Sequence, residues 1–447
     1  MKSLDKFNMD DTIVGVSAPT GGSISIIRMS GSNALDILGR VFACKEKTFE
    51  SHRVYYGWIE AGGQRLDEVL ATVMLAPRTF TRQDVVEINC HGGAVVVGKI
   101  LNLLVAEGAR LAEAGEFTKR AFLAGRIDLS RAEAVMDIIG ARSDLAHKTA
   151  VSQLSGHLFA LLNSCADNLL SQLARIEMAI DYPDHEEAEI LSVDIKAGLD
   201  GVLGQIDRLL ATAAQGRVIR EGIKTAIVGL PNAGKSSLLN ALVGNERAIV
   251  THVAGTTRDV LRETIDIGGV FLTLADTAGL RDTDDIVESQ GVARSLKEAA
   301  EADLVLLVVD GSCESGQPLE GQGSWRNVIT VVNKSDLPQK VDITGAVRVS
   351  AKNSQGIDAL KARIKEIFAV NQIEYGQEIV TNARHIALLG SAKQSVADAI
   401  NAVDAGEFID MVAIDIGSAL AALGEITGAS VDEDLINRIF SEFCLGK

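Results

Sequence analysis

The residues Gly229-Leu230-Pro231-Asn232-Ala233-Gly234-Lys235-Ser236 set two glycines, a lysine and a hydroxyl at the spacing G-x-x-x-x-G-K-[ST]. Such a loop, between a strand and a helix, cradles phosphates with backbone amides and the helix N-terminus. Lys235 would reach the β and γ phosphates, and Ser236 would ligate Mg²⁺. Asp276-Thr277-Ala278-Gly279 follows 41 residues after the lysine, where Asp276 meets the Mg²⁺ shell and Gly279 offers its amide to the γ-phosphate. Asn333-Lys334-Ser335-Asp336 ends a later apolar run, and Ser350-Ala351-Lys352 closes the last one. The carboxylate of Asp336 can accept from N1–H and the exocyclic amine of guanine. Adenine offers neither donor there, so GTP is favoured over ATP. A backbone amide near Ala351 can meet the guanine O6. The loop Val250 to Asp259 carries Thr251, Thr256 and Thr257, whose hydroxyls can join the Mg²⁺ shell when GTP is bound and leave on hydrolysis.

Two gaps remain in this chemistry. Leu280 stands where a glutamine would orient the attacking water, and leucine cannot do so. Asp282, Asp284, Asp285 and Glu288 lie within reach on the following loop, although a solvated acidic loop explains them as well. The cation that stabilises the transition state is also open between Arg258, Arg281 and a monovalent metal held by Asn232 and switch carbonyls.

The elements that must position these residues follow from periodicity. Apolar runs at Thr225 to Val228, Leu272 to Leu274, Leu304 to Val309 and Val328 to Val332 alternate with helical stretches, which specifies a parallel sheet covered by helices; the helix after the phosphate loop is expected over Ser237 to Val243. Leu158, Leu161, Leu162, Cys165, Leu169, Leu173, Ile176 and Ile180 step by three or four and are expected on one face, as are Ile386, Leu389, Val396 and Ile400, and then Ile409, Val412, Ile416, Leu420 and Leu423 after a turn at Ala405-Gly406. Residues 10 to about 120 read as strands at Thr12 to Val16, Ile24 to Met29 and Asp84 to Asn89, interrupted by one apolar-periodic stretch, Ala94 to Gly108. The expected architecture is an N-terminal α+β domain (1–124), an all-helical domain in two pieces (125–216 and 373–447), and an α/β P-loop domain (217–372) inserted into it.

The chain has 447 residues, 47% of them hydrophobic, and a formal net charge of −17, so its bulk field opposes non-specific nucleic-acid coating. Residues 118 to 148 form a local exception: Lys119, Arg120, Arg126, Arg131, Arg142 and Lys148 outnumber four acids, so either this patch or a basic partner subunit could hold tRNA. The 5 cysteines lack C-x-x-C spacing, which argues against structural zinc, an iron-sulfur cluster or a disulfide scaffold. No membrane span is expected, and the start MKSLDKFNMDD has no apolar signal region, so a cytoplasmic protein is expected.

The loop GLPNAGKSSLLN, together with AGTTRD, DTAGLR, Asp11-Thr12-Ile13, Ile26 to Gly31, FTRQDVVEINCHGG at Phe80 to Gly93, Gly115-Glu116-Phe117, Arg120 to Leu123 and the terminal Phe443-Cys444-Leu445-Gly446-Lys447, resembles the MnmE (TrmE) family of tRNA-modification GTPases from residue 11 to 447. The resemblance implies a Ras-like G domain, a folate-binding and dimerising N-terminal domain, and a homodimer that works with a FAD-containing MnmG-like partner in a heterotetramer. Together these would add a carboxymethylaminomethyl-type group at C5 of the wobble uridine of certain tRNAs, with a 5-formyl or methylene tetrahydrofolate as one-carbon source. By motif position it implies K⁺ at Asn232, Thr251, Val253 and Thr256, Mg²⁺ at Ser236 and Thr257, and a hydrolytic water positioned by Glu288. It extends the GTP site over Asn232 to Ser237, and the folate contacts it implies fall on Arg28, Glu87, Arg126 and Lys447. Read from their residue types alone, Arg28 and Glu87 are equally a structural ion pair. The family usually has lysine at the position of Arg126 and a longer turn at Pro19 to Gly22. Cys444 would sit near the one-carbon chemistry, as nucleophile or as structural element. A GTPase of ribosome assembly, Era-like, is the alternative; that class usually adds a basic RNA-binding module, whereas the C-terminal block here is helical and rich in acids.

Overall fold

A computed structural model describes residues 9–18, 20–181, 188–244, 264–274, 297–313, 325–368, 378–444 and 446. The chain divides into two compact units, Met1–Met136 with Gln153–Val202 and Gln394–Lys447, and Asp137–Ser152 with Leu203–Lys393. The helical stretch from Gly125 to Gly216 is therefore shared between the units.

The first unit is built on β1 (Ile13–Val16), β2 (Ile24–Ser30), α1 (Ala34–Val41), β3 (Phe42–Cys44), β4 (Arg53–Ala61), β5 (Gln64–Met74), β6 (Val85–His91), α2 (Ala94–Ala106), β7 (Arg110–Leu111) and α3 (Glu116–Leu123). The strands form one seven-stranded sheet in the order β3-β4-β5-β6-β2-β1-β7, antiparallel except for β1 against β7. Val69, Ala71 and Val73 alternate along β5 and, with Ile27, Met29, Val86 and Ile88, pack under Ile37, Leu38, Val97, Ile100 and Leu104 of α1 and α2. This corrects the expectation of a single helix before residue 120: α1 and α3 are also present, each eight residues long. Too few turns are available in eight residues for a periodic stripe to stand out.

The helices that follow are α4 (Leu129–Gly140), α5 (Asp144–Ser155), α6 (His157–Asp181), α7 (Ala188–Ala211) and α8 (Ala213–Glu221). After them come β8 (Ile223–Gly229), α9 (Lys235–Val243), β9 (Thr264–Asp266), β10 (Phe271–Leu274), β11 (Leu304–Asp310), β12 (Val328–Asn333), β13 (Val347–Arg348) and α10 (Ile357–Ile367). The chain ends in α11 (Ala383–Ala405), α12 (Ile409–Thr427) and α13 (Glu433–Ser441). In the first unit α6 packs on α12, with Leu158, Leu162, Cys165, Leu169 and Ile176 buried on one and Val412, Ile416 and Leu423 on the other, while Leu161 and Ile180, expected on the same stripe, are exposed because they fall off that face. Phe122, Phe440 and Phe443 stack in a row, with centroids 6.2 and 5.0 Å apart, and join α3 to α13.

The second unit carries a six-stranded sheet ordered β13-β12-β11-β8-β10-β9, parallel except for the β9–β10 hairpin. Along β8, Ile223 and Ile227 enter the core on one face, and Ala226 and Val228 the core on the other. Burial on both faces is why β11, Leu-Val-Leu-Leu-Val-Val-Asp, reads as an unbroken apolar run. This is the doubly wound Ras-like G-domain arrangement, with the phosphate loop leaving β8. Among the described residues no helix is long and apolar enough to cross a membrane.

Candidate functional site

Helix α9 starts at Lys235, two residues earlier than its sequence period indicates, so Lys235 and Ser236 belong to its first turn. The amides of that turn have no intrahelical partners, and no acid stands among them, which leaves an electropositive end for phosphate. Asn232 has φ +62° and Gly234 φ +92°. At Gly234 a Cβ would lie 2.2 Å from Asn333 Nδ2, so only glycine lets the base-recognition loop approach this closely. Lys235 Nζ donates to the carbonyls of Gly229 and Leu230 at 2.9 and 3.0 Å, and burial pushes its pKa down. A bound phosphate would compensate that buried charge.

Asn333 is the joint of the site. It is 2% exposed; Nδ2 donates to the Ala233 carbonyl (3.0 Å) and Oδ1 accepts from the Ala351 amide (3.1 Å), so one side chain ties the phosphate loop to the Ser350-Ala351-Lys352 segment. Ser350 Oγ donates to Asp336 Oδ1 at 2.6 Å, and this bond is the first cause holding the Asp336 carboxyl below its ordinary range. The guanine-reading acid is thereby kept charged and aimed. Lys334, at φ +62°, donates from Nζ to Asp310 Oδ2 at 2.6 Å. Burial works against the charge on Asp310, but hydrogen bonds from Lys334 and Ser312 outweigh it and hold the carboxyl at about 2. The part of Asp310 is not apparent from the motifs: its only local signal is an acid at the end of an apolar run followed by Gly311-Ser312.

Ala233 and Lys352 lie on these same loops, and Ser237 in the first turn of α9. Thr251, Val253, Thr256, Thr257, Asp276, Thr277, Ala278, Gly279 and Glu288 fall outside the described residues, as does Lys447. Of the residues assigned to the ions, Ser236 for Mg²⁺ and Asn232 for K⁺ are therefore the ones the structure places. Both stand on the phosphate loop, and their oxygen-bearing side chains suit hard cations.

The N-terminal unit has its own constellation. Arg28 on β2 and Glu87 on β6 are direct cross-strand partners, with Arg28 Nε and Nη2 both 2.7 Å from Glu87 Oε1. They form the ion pair that their residue types allow. Both remain about one-fifth exposed, and Nη1 of Arg28 and Oε2 of Glu87 have no partner among the described residues. The pair thus keeps one unused donor and one unused acceptor for a polar ligand. The Arg28 guanidinium lies 5.7 Å from the centre of the Phe117 ring. Phe117 in turn touches Gly15, the register partner of Arg28 on β1. Gly446 closes the same corner: its carbonyl accepts from Ser17 Oγ at 3.0 Å, and a Cβ on it, at φ +85°, would lie 2.1 Å from the Val16 carbonyl. The carbonyl of Cys444 accepts from the Gly115 amide at 3.4 Å, and its thiol is exposed. Arg126 sits apart from this corner: Nη1 donates to the Phe80 carbonyl at 3.1 Å and the guanidinium stacks 4.9 Å from the Phe80 ring.

Beneath this surface lies a charge cluster that the motifs do not reveal. Arg120 is fully buried, with Glu116 at 1% exposure, and its Nη2 meets Glu116 Oε1 at 3.0 Å and Asp11 Oδ1 at short range. Arg110 adds bonds to Glu116 (2.6 Å) and Asp11 (2.6 Å). Burial alone would raise both carboxyls, but bonds from the two arginines turn the net shift downward. Lys119 is also buried, donating to Asn437 Oδ1 of α13 at 2.7 Å. This narrows the basic stretch between residues 118 and 148, of which Arg126, Arg142 and Lys148 remain exposed. Lys119 and Arg120 are spent on internal bonds, and Arg131 and Lys148 pair with Asp128 and Asp144.

Comparison with known proteins agrees over the full length. A family described as "GTP-binding protein TrmE N-terminus" matches residues 12–126, and one described as "MnmE helical domain" matches residues 129–444. The chain is 49% identical over 454 residues to the tRNA modification GTPase MnmE of Lactobacillus delbrueckii subsp. bulgaricus, covering 98% of both chains. It is 46% identical over 458 residues to that of Geobacillus thermodenitrificans (98% of this chain, 99% of the relative), and 48% over 460 residues to that of Enterococcus faecalis (98% of both).

Proposed function

The chain belongs to the MnmE family of tRNA modification GTPases, and from that premise we propose that it hydrolyses GTP in a K⁺-stimulated, Mg²⁺-dependent cycle that drives modification of wobble uridines. It is a GTPase. With an MnmG-like FAD protein, in a heterotetramer, it installs a carboxymethylaminomethyl-type group at C5 of the wobble uridine of certain tRNAs in the cytoplasm. The observation that carries this reading is the joint at Asn333, which fastens a phosphate loop to a guanine-specific loop in one rigid unit.

Within that cycle the first turn of α9 and Lys235 bind the phosphates, Asp336 selects guanine, and Asp310 keeps Lys334 in place beside it. Ser236 and Thr257 would hold Mg²⁺; Asn232, Thr251, Val253 and Thr256 would hold K⁺, which supplies positive charge in place of an arginine; Glu288 would orient water. Tetrahydrofolate, when bound, supplies the one-carbon unit. Arg28 and Glu87 would grip its pterin edge, Arg126 and Lys447 its carboxylates, with Cys444 alongside. The sheet face opposite α1 and α2 exposes Ile24 (65%), Val54 (59%), Tyr56 (60%) and Leu70 (46%), an apolar surface that supports a homodimer through the N-terminal domain. The domain limits 1–124, 125–216, 217–372 and 373–447 belong to the same proposal.

Mass analysis of wobble uridines in tRNA from a strain lacking the protein tests the reading. Loss of the C5 substituent is expected, and unchanged nucleosides would overturn it. Turnover should be several-fold faster in KCl than in NaCl, and Glu288→Ala should retain GTP binding while losing hydrolysis.

A further inference from the structure

In the first unit, two guanidiniums are held side by side by a reciprocal pair of backbone bonds. Arg82 Nη1 donates to the Ala124 carbonyl at 3.0 Å, and Arg126 Nη1 donates to the Phe80 carbonyl at 3.1 Å. Each arginine thus reaches a carbonyl two residues before the other. The Phe80 ring backs Arg126 at 4.9 Å and fixes the plane of its guanidinium. Neither cation pairs with a carboxylate among the described residues. The pKa of Arg126 is pushed down, by burial first and then by the charge of Arg82. Arg82 also has φ +60°, a left-handed conformation that disfavours a side chain of this size. A like-charged pair with a strained backbone and no carboxylate partner is a ready site for an anion.

The place of the pair says which anion. Helix α3, Glu116–Leu123, presents Phe117 to Arg28 near its start and runs on to Gly125 and Arg126 at its other end. Its eight residues span about 12 Å, so a cation–carboxylate pair stands at one end of the helix and two cations stand at the other. Nearby basic residues are buried or paired, as Lys119, Arg120 and Arg131 are, so no extended basic track continues from the pair. Two isolated cations suit a short oligocarboxylate better than a nucleic-acid backbone, whose recognition draws on many phosphate contacts.

We propose that Arg82, together with Arg126, forms a subsite for the γ-linked glutamyl chain of a polyglutamylated tetrahydrofolate, making Arg82 a specificity-determining residue for chain length. This rests on the folate reading given above. Arg126 meets the first glutamate, and Arg82 meets the carboxylate of the next.

Titration of the full-length protein with 5-formyltetrahydrofolate as monoglutamate and as triglutamate, by calorimetry, tests the assignment. The triglutamate should bind roughly tenfold tighter, the scale of one charge-assisted contact at a partly exposed site, and added salt should shrink the ratio. Arg82→Gly, which relieves the left-handed backbone, should bring the ratio below about twofold, and Arg82→Lys should restore part of it. Equal binding of both forms by the unsubstituted protein overturns the subsite. Failure of both forms to bind overturns the folate reading itself. An anticodon stem-loop RNA is the further arm: Arg82→Gly weakening RNA binding while leaving the folate ratio intact would assign the pair to phosphates and reject the proposal.

Discussion

Replacing Asn333 by alanine removes both bonds that join the phosphate loop to the guanine loop. It strands the Ala233 carbonyl and the Ala351 amide, at 2% and 7% residue exposure. A buried polar group left unsatisfied costs about 1–3 kcal/mol, so the pair costs about 2–6 kcal/mol; water entering from the open side brings this to about 3 kcal/mol. With a denaturant slope near 2 kcal/mol/M in urea, the midpoint for this unit should fall by about 1.5 M. The chain has 2 tryptophans, Trp58 in the first unit and Trp325 buried beside β11 in the second, so a Trp58→Phe background makes fluorescence report the second unit alone. In the same background, release of a fluorescent GDP analogue followed by stopped flow should accelerate at least tenfold, since loops that no longer share an anchor cannot hold phosphate and base together. Asn333→Asp keeps an acceptor for Ala351 but sets a carboxylate against the Ala233 carbonyl, and it should release GDP as fast as the alanine variant. An Asn333→Ala protein with an unchanged urea midpoint and an unchanged release rate would refute the role given to this side chain.

Three other outcomes are expected. Arg120→Met, which leaves Asp11 and Glu116 facing each other without the buried cation, should destabilise the first unit by about 3–5 kcal/mol in urea, read from Trp58. Because both carboxyls are held below their unfolded values of about 4, their stabilisation is complete above that range and is lost as pH falls through the lowered folded values; urea midpoints measured from pH 6 to pH 3 should decline in the native protein and somewhat less in Arg120→Met, where Arg110 still bonds both acids. Gly446→Ala, which directs a methyl group at the Val16 carbonyl, should weaken 5-formyltetrahydrofolate binding at least tenfold by calorimetry, and unchanged affinity would remove the tail from that site. Asp336→Asn should shift preference from GTP to XTP in a turnover assay, because an amide can donate to the C2 carbonyl of xanthine where the carboxylate accepts from the amine of guanine.

What the sequence discloses depends on how far apart the interacting residues lie. The phosphate loop and its strand and helix are legible because their chemistry is local: glycine spacing, an apolar run before and a helical period after. The doubly wound sheet is legible because strands buried on both faces are uniformly apolar, as β11 shows. By contrast, Asp310 reaches Lys334 from 24 residues away across neighbouring strands, and nothing in either motif names that partner. The buried Arg120 cluster draws Asp11 from 109 residues away, and in sequence its arginine counts as one more surface charge. That is why two residues of a basic stretch that suggests a nucleic-acid surface, Lys119 and Arg120, prove to be interior, while Arg126, Arg142 and Lys148 stay exposed. The β4–β5 hairpin escapes the strand pattern because its outward face carries Val54, Tyr56 and Leu70 in place of polar residues.

The bond between Ser17 and Gly446 spans 429 residues of chain. Loop-closure entropy rises only with the logarithm of that separation, so intact protein bears little extra cost for it. The contact nevertheless draws its high effective concentration from the chain that links the two residues. A single cut in any intervening loop, followed by separation of the fragments, turns a tethered tail at an effective millimolar concentration into a dissociating ligand present at the far lower concentration of the protein. Nicked molecules whose fragments part therefore lose the corner beside Arg28 even if their sheet and phosphate loop remain folded.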